Sequence, residues 1–412
     1  MLEVLAYKLV LYVSSFISLF MAIFWISILF LEEGSLEEQK WDKKYAPLVS
    51  ILIPAHNEED VIAATLDSAL QVDYPKTKRE IIVLANACTD RTEEIVKSYK
   101  EKGVKLISIK EPGKGYAVNI GLEKLKGEFT VILDADSIAT PNLLEVLLPK
   151  FNDPNVGGVK TSIKVWKPEN FLEKLQWFEY MAVGLTHKLM SVLDILYLTP
   201  GVFSIYRTDA LRKVGGFDEN ILTEDIEIAV RLLHNGYKIK SSLEAMPFTK
   251  VPKTIEGYHG QRLRWARGFF ATMLKHKEMF FKKEFGLLGL FMLPVSFAMP
   301  ILIILSMLIV FYTISTFVFR AVVNILLTGR IFHGAILPLV DFSVIFWTSV
   351  LVIFSIYVLY KSVKLFREKA SYPLAGLMFF IAYPGVKSFY WFLGAMYEIF
   401  GVKKVWRGNV RW

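Results

Sequence analysis

The chain has 412 residues, 53% of them hydrophobic, and a mean hydropathy of +0.39. This composition excludes an ordinary soluble protein, so part of the chain is expected to lie in lipid. The net charge of +8 does not indicate a nucleic-acid partner, because the basic residues cluster beside apolar stretches, as on cytoplasmic flanks that face anionic headgroups. The clusters are Lys361, Lys364, Arg367 and Lys369, and Lys403, Lys404, Arg407 and Arg411. The single cysteine, Cys88, excludes an internal disulfide and fits a reducing compartment.

An apolar segment near the amino terminus predicts a membrane anchor. Residues 9–31 carry no charge and can cross about 30 Å of hydrocarbon at 1.5 Å per residue. Bulky residues run straight into Glu32 and Glu33 without the small residues of a cleavage site, so we expect this segment to be retained. Further apolar stretches at 286–319, 336–360 and 373–400 predict a membrane region near the carboxyl terminus. The predicted division is an anchor with a juxtamembrane segment at 1–45, a polar domain at 46–283 and a carboxyl-terminal transmembrane region at 284–412.

The polar domain alternates short apolar runs with helical patterns. The runs at 49–53, 80–84 and 129–133 predict strands of a parallel sheet covered on both faces. Ligands collect at the carboxyl ends of such strands. Each run ends in a polar motif, so the motifs are expected to meet at one crevice. Asp134 and Asp136, two residues apart, would point to the same side of a strand end, where they can hold Mg²⁺ or Mn²⁺ or simply form a turn.

Three later segments are predicted to be helical. Glu224 and Asp225 follow Thr223 at the start of a helix that Gly236 ends, where acids favour the helix dipole or, for Asp225, serve as a general base. The segments 169–193 and 254–282 have the apolar stripe of amphipathic helices that lie on a membrane surface.

Five motifs then occur in a fixed order. They are Pro-Ala-His-Asn-Glu at 54–58, Asn-Ala-Cys-Thr-Asp at 86–90, Asp-Ala-Asp at 134–136, Thr-Glu-Asp at 223–225 and Gln-Arg-Leu-Arg-Trp at 261–265. Together they resemble the family 2 inverting glycosyltransferases with a GT-A fold, in particular the membrane branch that includes cellulose, chitin, hyaluronan and poly-N-acetylglucosamine synthases. The resemblance implies an α/β, GT-A (Rossmann-like) catalytic domain with interfacial amphipathic helices and transmembrane α-helices. It also implies an integral protein of the cell membrane whose catalytic domain is cytoplasmic.

The resemblance implies a role for each motif. A hexosyl or N-acetylhexosaminyl group would move from a nucleotide-sugar donor, expected to be a UDP-sugar, to a glycan or lipid acceptor. Asp225 would be the catalytic base with Glu224 beside it, Asp134 and Asp136 would bind Mg²⁺ or Mn²⁺, and Trp265 would stack on the acceptor sugar. The nucleotide would be bound by His56, Glu58, Asn86, Asp90, Lys114, Asp134, Gln261 and Arg264. The chain departs from the family pattern at Asn86, where an Asp is common, which bears on the identity of the donor base.

Several alternatives remain at this point. The product is either a β-linked polysaccharide or a lipid carrying one added sugar, and a third reading is an inactive membrane scaffold or transporter. The stretch 199–207 resembles the acceptor-side loop of the family or is a turn followed by a strand. Pro384 and Lys387 in the middle of the last apolar stretch predict a broken or re-entrant segment and a cytosolic carboxyl terminus.

Overall fold

The computed structural model describes residues 2–31, 46–199, 201–329, 342–369 and 371–403. The strands in these ranges are β1 (Val49–Ala55), β2 (Arg79–Asn86), β3 (Val104–Ile109), β4 (Phe129–Ile132), β5 (Ser137–Ile138), β6 (Val156–Thr161), β7 (Lys164–Val165), β8 (Ser204–Arg207), β9 (Lys238–Ser242) and β10 (Phe248–Thr249). The helices are α1 (Leu2–Leu31), α2 (Ile62–Leu70), α3 (Thr92–Ser98), α4 (Lys114–Lys124), α5 (Leu143–Leu147), α6 (Phe171–Val192), α7 (Thr208–Lys213), α8 (Glu224–His234), α9 (Ile255–Lys275), α10 (Leu293–Thr328), α11 (Phe342–Leu365), α12 (Pro373–Ile381) and α13 (Tyr383–Ile399).

The main sheet is mixed. Its strand order is β3-β2-β1-β4-β8-β6-β9, and β1, β2, β3 and β4 pair in parallel, as do β6 and β9. The three predicted apolar runs form β1, β2 and β4, so their carboxyl ends meet at one edge as predicted. The sheet also contains β8, which is antiparallel to β4 and β6 because the chain enters it from the motif edge, after Gly201. A small second sheet has the order β5-β10-β7.

Both faces of the main sheet are covered, because side chains alternate along each strand. Ile51 and Ile53 of β1 lie in a core that α2, α3 and α5 close. Leu52, between them, lies in a second core that α4, α7 and α8 close. Burial on both sides explains why β1 is apolar at nearly every position rather than at alternate ones.

The long apolar helices pack through aromatic rings. Two described segments, 12–31 and 288–328, are long and apolar enough to cross a membrane by length and composition. Phe20 and Phe24 of the first lie 5.8 Å and 5.5 Å from Phe291 of the second, between ring centroids. These segments correspond to the predicted spans 9–31 and 286–319, although the second helix continues to Thr328. Predicted features at Glu32, Glu33, Lys404, Arg407 and Arg411 lie outside the described residues, as do positions 336–341 of the third span.

The last apolar stretch is broken, as Pro384 and Lys387 predicted. The chain interrupts its helix at Ala382, so 373–400 forms the two helices α12 and α13. Pro384 stands in the first turn of α13, where its missing N–H removes no helical hydrogen bond.

The two predicted amphipathic segments form α6 and α9. In a capping box at the start of α6, the Asn170 side chain accepts a hydrogen bond from the Glu173 N–H, and the Glu173 carboxylate accepts one from the Asn170 N–H. α9 begins after its cap, Thr254, and ends at Lys275, earlier than the predicted 282. A buried Arg262–Glu179 ion pair of 2.5 Å connects α9 to α6.

α13 covers one side of α9. The Trp391 ring lies 4.8 Å from Phe269 and 5.5 Å from Phe270. Gly394 lies so close to α9 that a Cβ on it would stand 2.6 Å from the Ala266 Cβ. Part of the apolar pattern of α9 is therefore used in packing against protein.

Candidate functional site

A cavity of about 510 Å³ opens at the carboxyl ends of β1, β2 and β4. The sheet edge and the start of α4 contribute Pro54, Ala55, His56, Glu58, Asn86, Lys114, Asp134, Ala135 and Asp136 to its wall. The loop before α8 contributes Leu222, and α9 contributes Glu256, His259, Gly260, Gln261, Leu263, Arg264 and Arg267. The end of α13 and the residues after it contribute Tyr397, Val402 and Lys403. The predicted meeting of three strand-end motifs is confirmed.

Three acids share one side of the cavity. Burial and the charges of Asp136 and Asp134 raise the pKa of Glu58 to about 8. Burial and the charge of Asp134 also raise the pKa of Asp136 to about 6. A bound cation would relieve this repulsion, and oxygen donors suit Mg²⁺ or Mn²⁺.

Lys114 connects this acidic side to α8. Its ammonium lies 2.8 Å from Asp134 Oδ1 and 2.9 Å from Glu224 Oε1. Burial works against the charge, but the two carboxylates raise the pKa of Lys114 well above its usual value. Gly201 makes room for this pair, because a Cβ at that position would stand 2.6 Å from the Lys114 Nζ. The turn and strand predicted as one reading of 199–207 are confirmed by β8, and the turn abuts the site.

The first turn of α8 gives its two acids different environments. Burial would raise the pKa of Glu224, but the nearby Lys114 ammonium lowers it below its usual value. Burial and the charge of Glu224 instead raise the pKa of Asp225 to about 6. Thr223 occupies the N-cap position, but its hydroxyl makes no capping hydrogen bond. The Thr199 hydroxyl donates to the Asp225 carbonyl at 2.8 Å, which connects the first turn of α8 to the segment before β8.

Asn86 organises the edge beside β2. Its amide donates to the Glu111 carbonyl at 2.5 Å and accepts from the Gly113 N–H at 2.8 Å. The main-chain carbonyl of Asn86 accepts a hydrogen bond from His56 Nδ1 at 2.6 Å, which fixes the imidazole at the cavity wall. One amide hydrogen and one oxygen lone pair of Asn86 are thus already used within the protein.

α9 forms the opposite wall of the cavity. Gln261 is buried, and its carbonyl oxygen Oε1 has no hydrogen-bond partner among the described residues. Arg264 lines the same wall. Arg267 faces α13, donating from Nε to Glu398 Oε1 at 2.7 Å and from a terminal nitrogen to the Val402 carbonyl at 2.5 Å.

Four predicted site residues are not among those that line the cavity in this structure: Asp90, Glu224, Asp225 and Trp265. Glu224 reaches the cavity wall through its ion pair with Lys114, and the role of Asp225 as a base stays a prediction. Asp90 accepts hydrogen bonds from the N–H groups of Glu59, at 3.1 Å, and Thr92, at 3.0 Å, and its charge contributes to the raised pKa of Glu58. The Trp265 ring lies 4.3 Å from the guanidinium carbon of Arg262. The acceptor role of Trp265 therefore stays a prediction.

The family profile described as "Glycosyltransferase like family 2" matches residues 46–268, which include every element around the cavity except α13. The chain belongs to this family. Among curated relatives, a Bacillus subtilis (strain 168) protein named "Probable glycosyltransferase YdaM" is 35% identical over 260 residues, covering 59% of this chain and 60% of that protein. A Staphylococcus epidermidis protein named "Poly-beta-1,6-N-acetyl-D-glucosamine synthase" is 30% identical over 271 residues, covering 63% of this chain and 65% of that protein. The match thus spans less than two thirds of the length of these relatives.

A solved structure shares the whole fold of this family 2 chain. The mannosyltransferase PcManGT from Pyrobaculum calidifontis, in complex with GDP-Man and Mn²⁺, aligns with a TM-score of 0.58 and 18% identity, covering 98% of this chain and 100% of that chain. The predicted α/β fold of the GT-A type is confirmed.

The sequence reasoning missed several cavity residues. Glu256, Gly260 and Arg267 lie on the face of α9 that also presents Arg264, because positions three and four apart share a helix face. That spacing was visible in the sequence. Tyr397 and Lys403 had no local signal, since they reach the cavity only through the packing of α13 on α9.

Proposed function

We propose that this chain is a membrane glycosyltransferase that moves a sugar from a UDP-sugar to a hydroxyl acceptor with inversion, extending a β-linked polysaccharide. The observation that carries the proposal is the make-up of one cavity, in which Glu58, Asp134 and Asp136 lie on one wall and Gln261 and Arg264 on the other. A diphosphate is bound by a divalent ion held on acids and by a guanidinium group, and residues that could supply both line this cavity. Family membership supports the same chemistry.

The acids fit a divalent metal ion. Burial and the charges of neighbouring acids raise the pKa values of Glu58 and Asp136, although the Lys114 ammonium lies 2.8 Å from Asp134. Asp134 and Asp136 would hold Mg²⁺ or Mn²⁺, which when bound would neutralise charge that develops on the leaving diphosphate. The presence of Mn²⁺ with the structural neighbour PcManGT supports this assignment.

Asp225 is proposed as the base. A carboxylate with a pKa of about 6 is ionised at neutral pH and binds a proton more strongly than an ordinary aspartate. Glu224 is held by Lys114 at 2.9 Å, so its role would be to orient Lys114 toward the nucleotide. On the opposite wall, the unpartnered Gln261 oxygen and the Arg264 guanidinium would bind and orient the donor.

The uracil of the donor would lie beside His56 and Asn86. Asn86 keeps one amide hydrogen and one lone pair for a base after its bonds to Glu111 and Gly113. Asp90 would position this region through the first turn of α3.

A polysaccharide product is supported by relatives named poly-β-1,6-N-acetyl-D-glucosamine synthase. A second candidate is the addition of one sugar to a lipid. The cavity wall supports it, because Tyr397 lies in the apolar helix α13, Val402 and Lys403 follow that helix, and a lipid acceptor could approach the cavity along it.

The proposal includes the division into residues 1–45, 46–283 and 284–412, insertion in the cell membrane and a cytoplasmic catalytic domain. Helices 12–31 and 288–328 support the membrane assignment.

Metal removal tests the site. We expect Asp136→Asn, or wild-type protein treated with EDTA, to lose transfer by at least about 10²-fold, because loss of several kcal/mol of charge stabilisation corresponds to this factor. Asp209→Asn, a change of an exposed acid on α7, is the matched control and should keep the wild-type rate. Full turnover by protein that elemental analysis shows to be free of metal would exclude the assignment.

A further inference from the structure

A second group of metal-ligating side chains lies away from the cavity, where α8 and α9 both end. His234 is the last residue of α8, His276 follows the last residue of α9, and Glu278 lies in the turn after it. One ligand atom from each lies within 4.8 Å of the others. The Nδ1 atoms of His234 and His276 stand 3.6 Å and 3.9 Å from Glu278 Oε1.

His276 carries the strongest indication of a missing partner. The residue is only 5% exposed, and its Nδ1 has no hydrogen-bond partner among the described residues. Its other ring nitrogen, Nε2, lies 3.1 Å from Glu227 Oε1. Since a carboxylate oxygen only accepts, the proton belongs on Nε2, and the lone pair of Nδ1 then faces the Glu278 carboxylate. A metal ion between the two atoms would accept both lone pairs.

This arrangement is the one that proteins use to orient a metal-binding imidazole. A ligating histidine usually donates its second N–H to a carboxylate, as His276 does to Glu227. Glu227 is itself fixed by Arg231 and by Lys275, the latter at 2.6 Å.

We propose that His234, His276 and Glu278 bind a divalent transition-metal ion, with Zn²⁺ as the representative. Two imidazole nitrogens and a carboxylate oxygen suit Zn²⁺ better than Mg²⁺, which prefers oxygen donors alone. Tetrahedral ligands about 2.0–2.1 Å from Zn²⁺ stand roughly 3.3 Å apart, so the two histidine–glutamate pairs, at 3.6 Å and 3.9 Å, would each have to shorten by well under 1 Å. Two helix carboxyl ends meet here, and their partial negative charge also favours a cation.

The ion would have a structural role. α8 runs from Glu224 to His234, so at 1.5 Å per residue the site lies roughly 15 Å from Glu224 and its ion pair with Lys114. It would connect the far ends of the two helices that carry Asp225 and Arg264. The proposal is thus independent of the proposed reaction and of the Mg²⁺ or Mn²⁺ at Asp136.

Zinc binding tests this site directly. Protein purified with a histidine-free tag is stripped with a chelator, titrated with Zn²⁺ against a chromophoric competitor, and measured by elemental analysis and thermal unfolding. We expect wild-type protein to bind one equivalent and to unfold at a higher temperature with Zn²⁺. His234→Ala and Glu278→Gln, both at partly exposed positions, should lower the affinity by at least about 100-fold, since loss of a supporting hydrogen bond alone costs about 10–100-fold.

Two control variants separate this site from others. Glu284→Gln removes an exposed acid nearby that is not one of the three ligands, and Asp136→Asn removes the catalytic metal ligand; both should bind Zn²⁺ as wild-type protein does. Equal Zn²⁺ affinity in wild-type protein and Glu278→Gln would overturn the proposal, as would wild-type protein that retains no Zn²⁺. Loss of binding in Asp136→Asn with retention in Glu278→Gln would assign the zinc to the catalytic cavity instead.

Discussion

Glu224 and Asp225 are adjacent acids in one helical turn, and the groups around each of them shift its pKa in a different direction. Glu224 faces the Lys114 ammonium at 2.9 Å, which lowers its pKa despite burial. Asp225 is half-buried beside Glu224, and desolvation together with the Glu224 charge raises its pKa to about 6. The sequence suggested Asp225 as the base, but it could not predict the opposite pKa shifts, because both residues look like acids in the first turn of a helix.

This difference predicts the effect of Asp225→Asn. The substitution keeps the shape of the side chain and removes the proton acceptor, so transfer should fall by about 10²–10⁴-fold while donor binding stays nearly unchanged. Turnover assays and calorimetry with the donor measure the two quantities, with Asp209→Asn as the control. Retention of more than about a tenth of the wild-type rate would exclude Asp225 as the base.

The raised pKa of Asp225 also sets the expected pH dependence. A base works only when ionised, so kcat in metal-saturated protein should be level near neutral pH and fall about tenfold per pH unit below about 6. An aspartate with an ordinary pKa would keep full activity down to about pH 4. An acid limb near pH 4, with donor binding intact at that pH, would therefore contradict this assignment.

At the scale of elements, strand ends were predictable and helix packing was not. Alternation and apolar runs placed β1, β2 and β4, because a strand buried on both faces has a clear local pattern. The turn followed by a strand was one reading of 199–207, but the antiparallel direction of β8 had no local signal, because it depends on how the chain enters the sheet. They also did not reveal that α13 supplies part of the cavity wall, since Tyr397 and Lys403 lie far along the chain from the motifs.

Two glycines of α13 test that packing. Gly394→Ala would place a Cβ 2.6 Å from the Ala266 Cβ, so it should cost about 1–3 kcal/mol of stability and weaken transfer by displacing the end of α13. Gly385→Ala is the matched control, because nothing lies within 4 Å of its Cβ, and it should leave stability equal or slightly higher. Thermal unfolding and donor KM measure both effects. Identical behaviour of the two variants would show that α13 does not pack on α9 as described.

At the scale of the whole molecule, the α/β domain of the family lies in the same chain as the long apolar helices. The nucleotide motifs lie on the sheet edge, whereas α9 and α13 join that edge to the apolar segments. An acceptor from the bilayer or a growing glycan could therefore reach the same cavity as a water-soluble donor. The sequence predicted both parts from composition and motif order, but their contact depends on side chains far apart in the chain.

Product analysis tests the central claim most directly. Purified protein in lipid is incubated with Mg²⁺ or Mn²⁺ and a panel of radiolabelled nucleotide sugars, and the products are separated by size and by lipid extraction. We predict that label from a UDP-sugar enters a ladder of lengthening β-linked glycans, and that Asp225→Asn yields none. A single glycolipid band at every donor concentration would contradict the polysaccharide product and support the lipid acceptor. Failure of folded wild-type protein to transfer label from any donor would contradict the proposed activity itself.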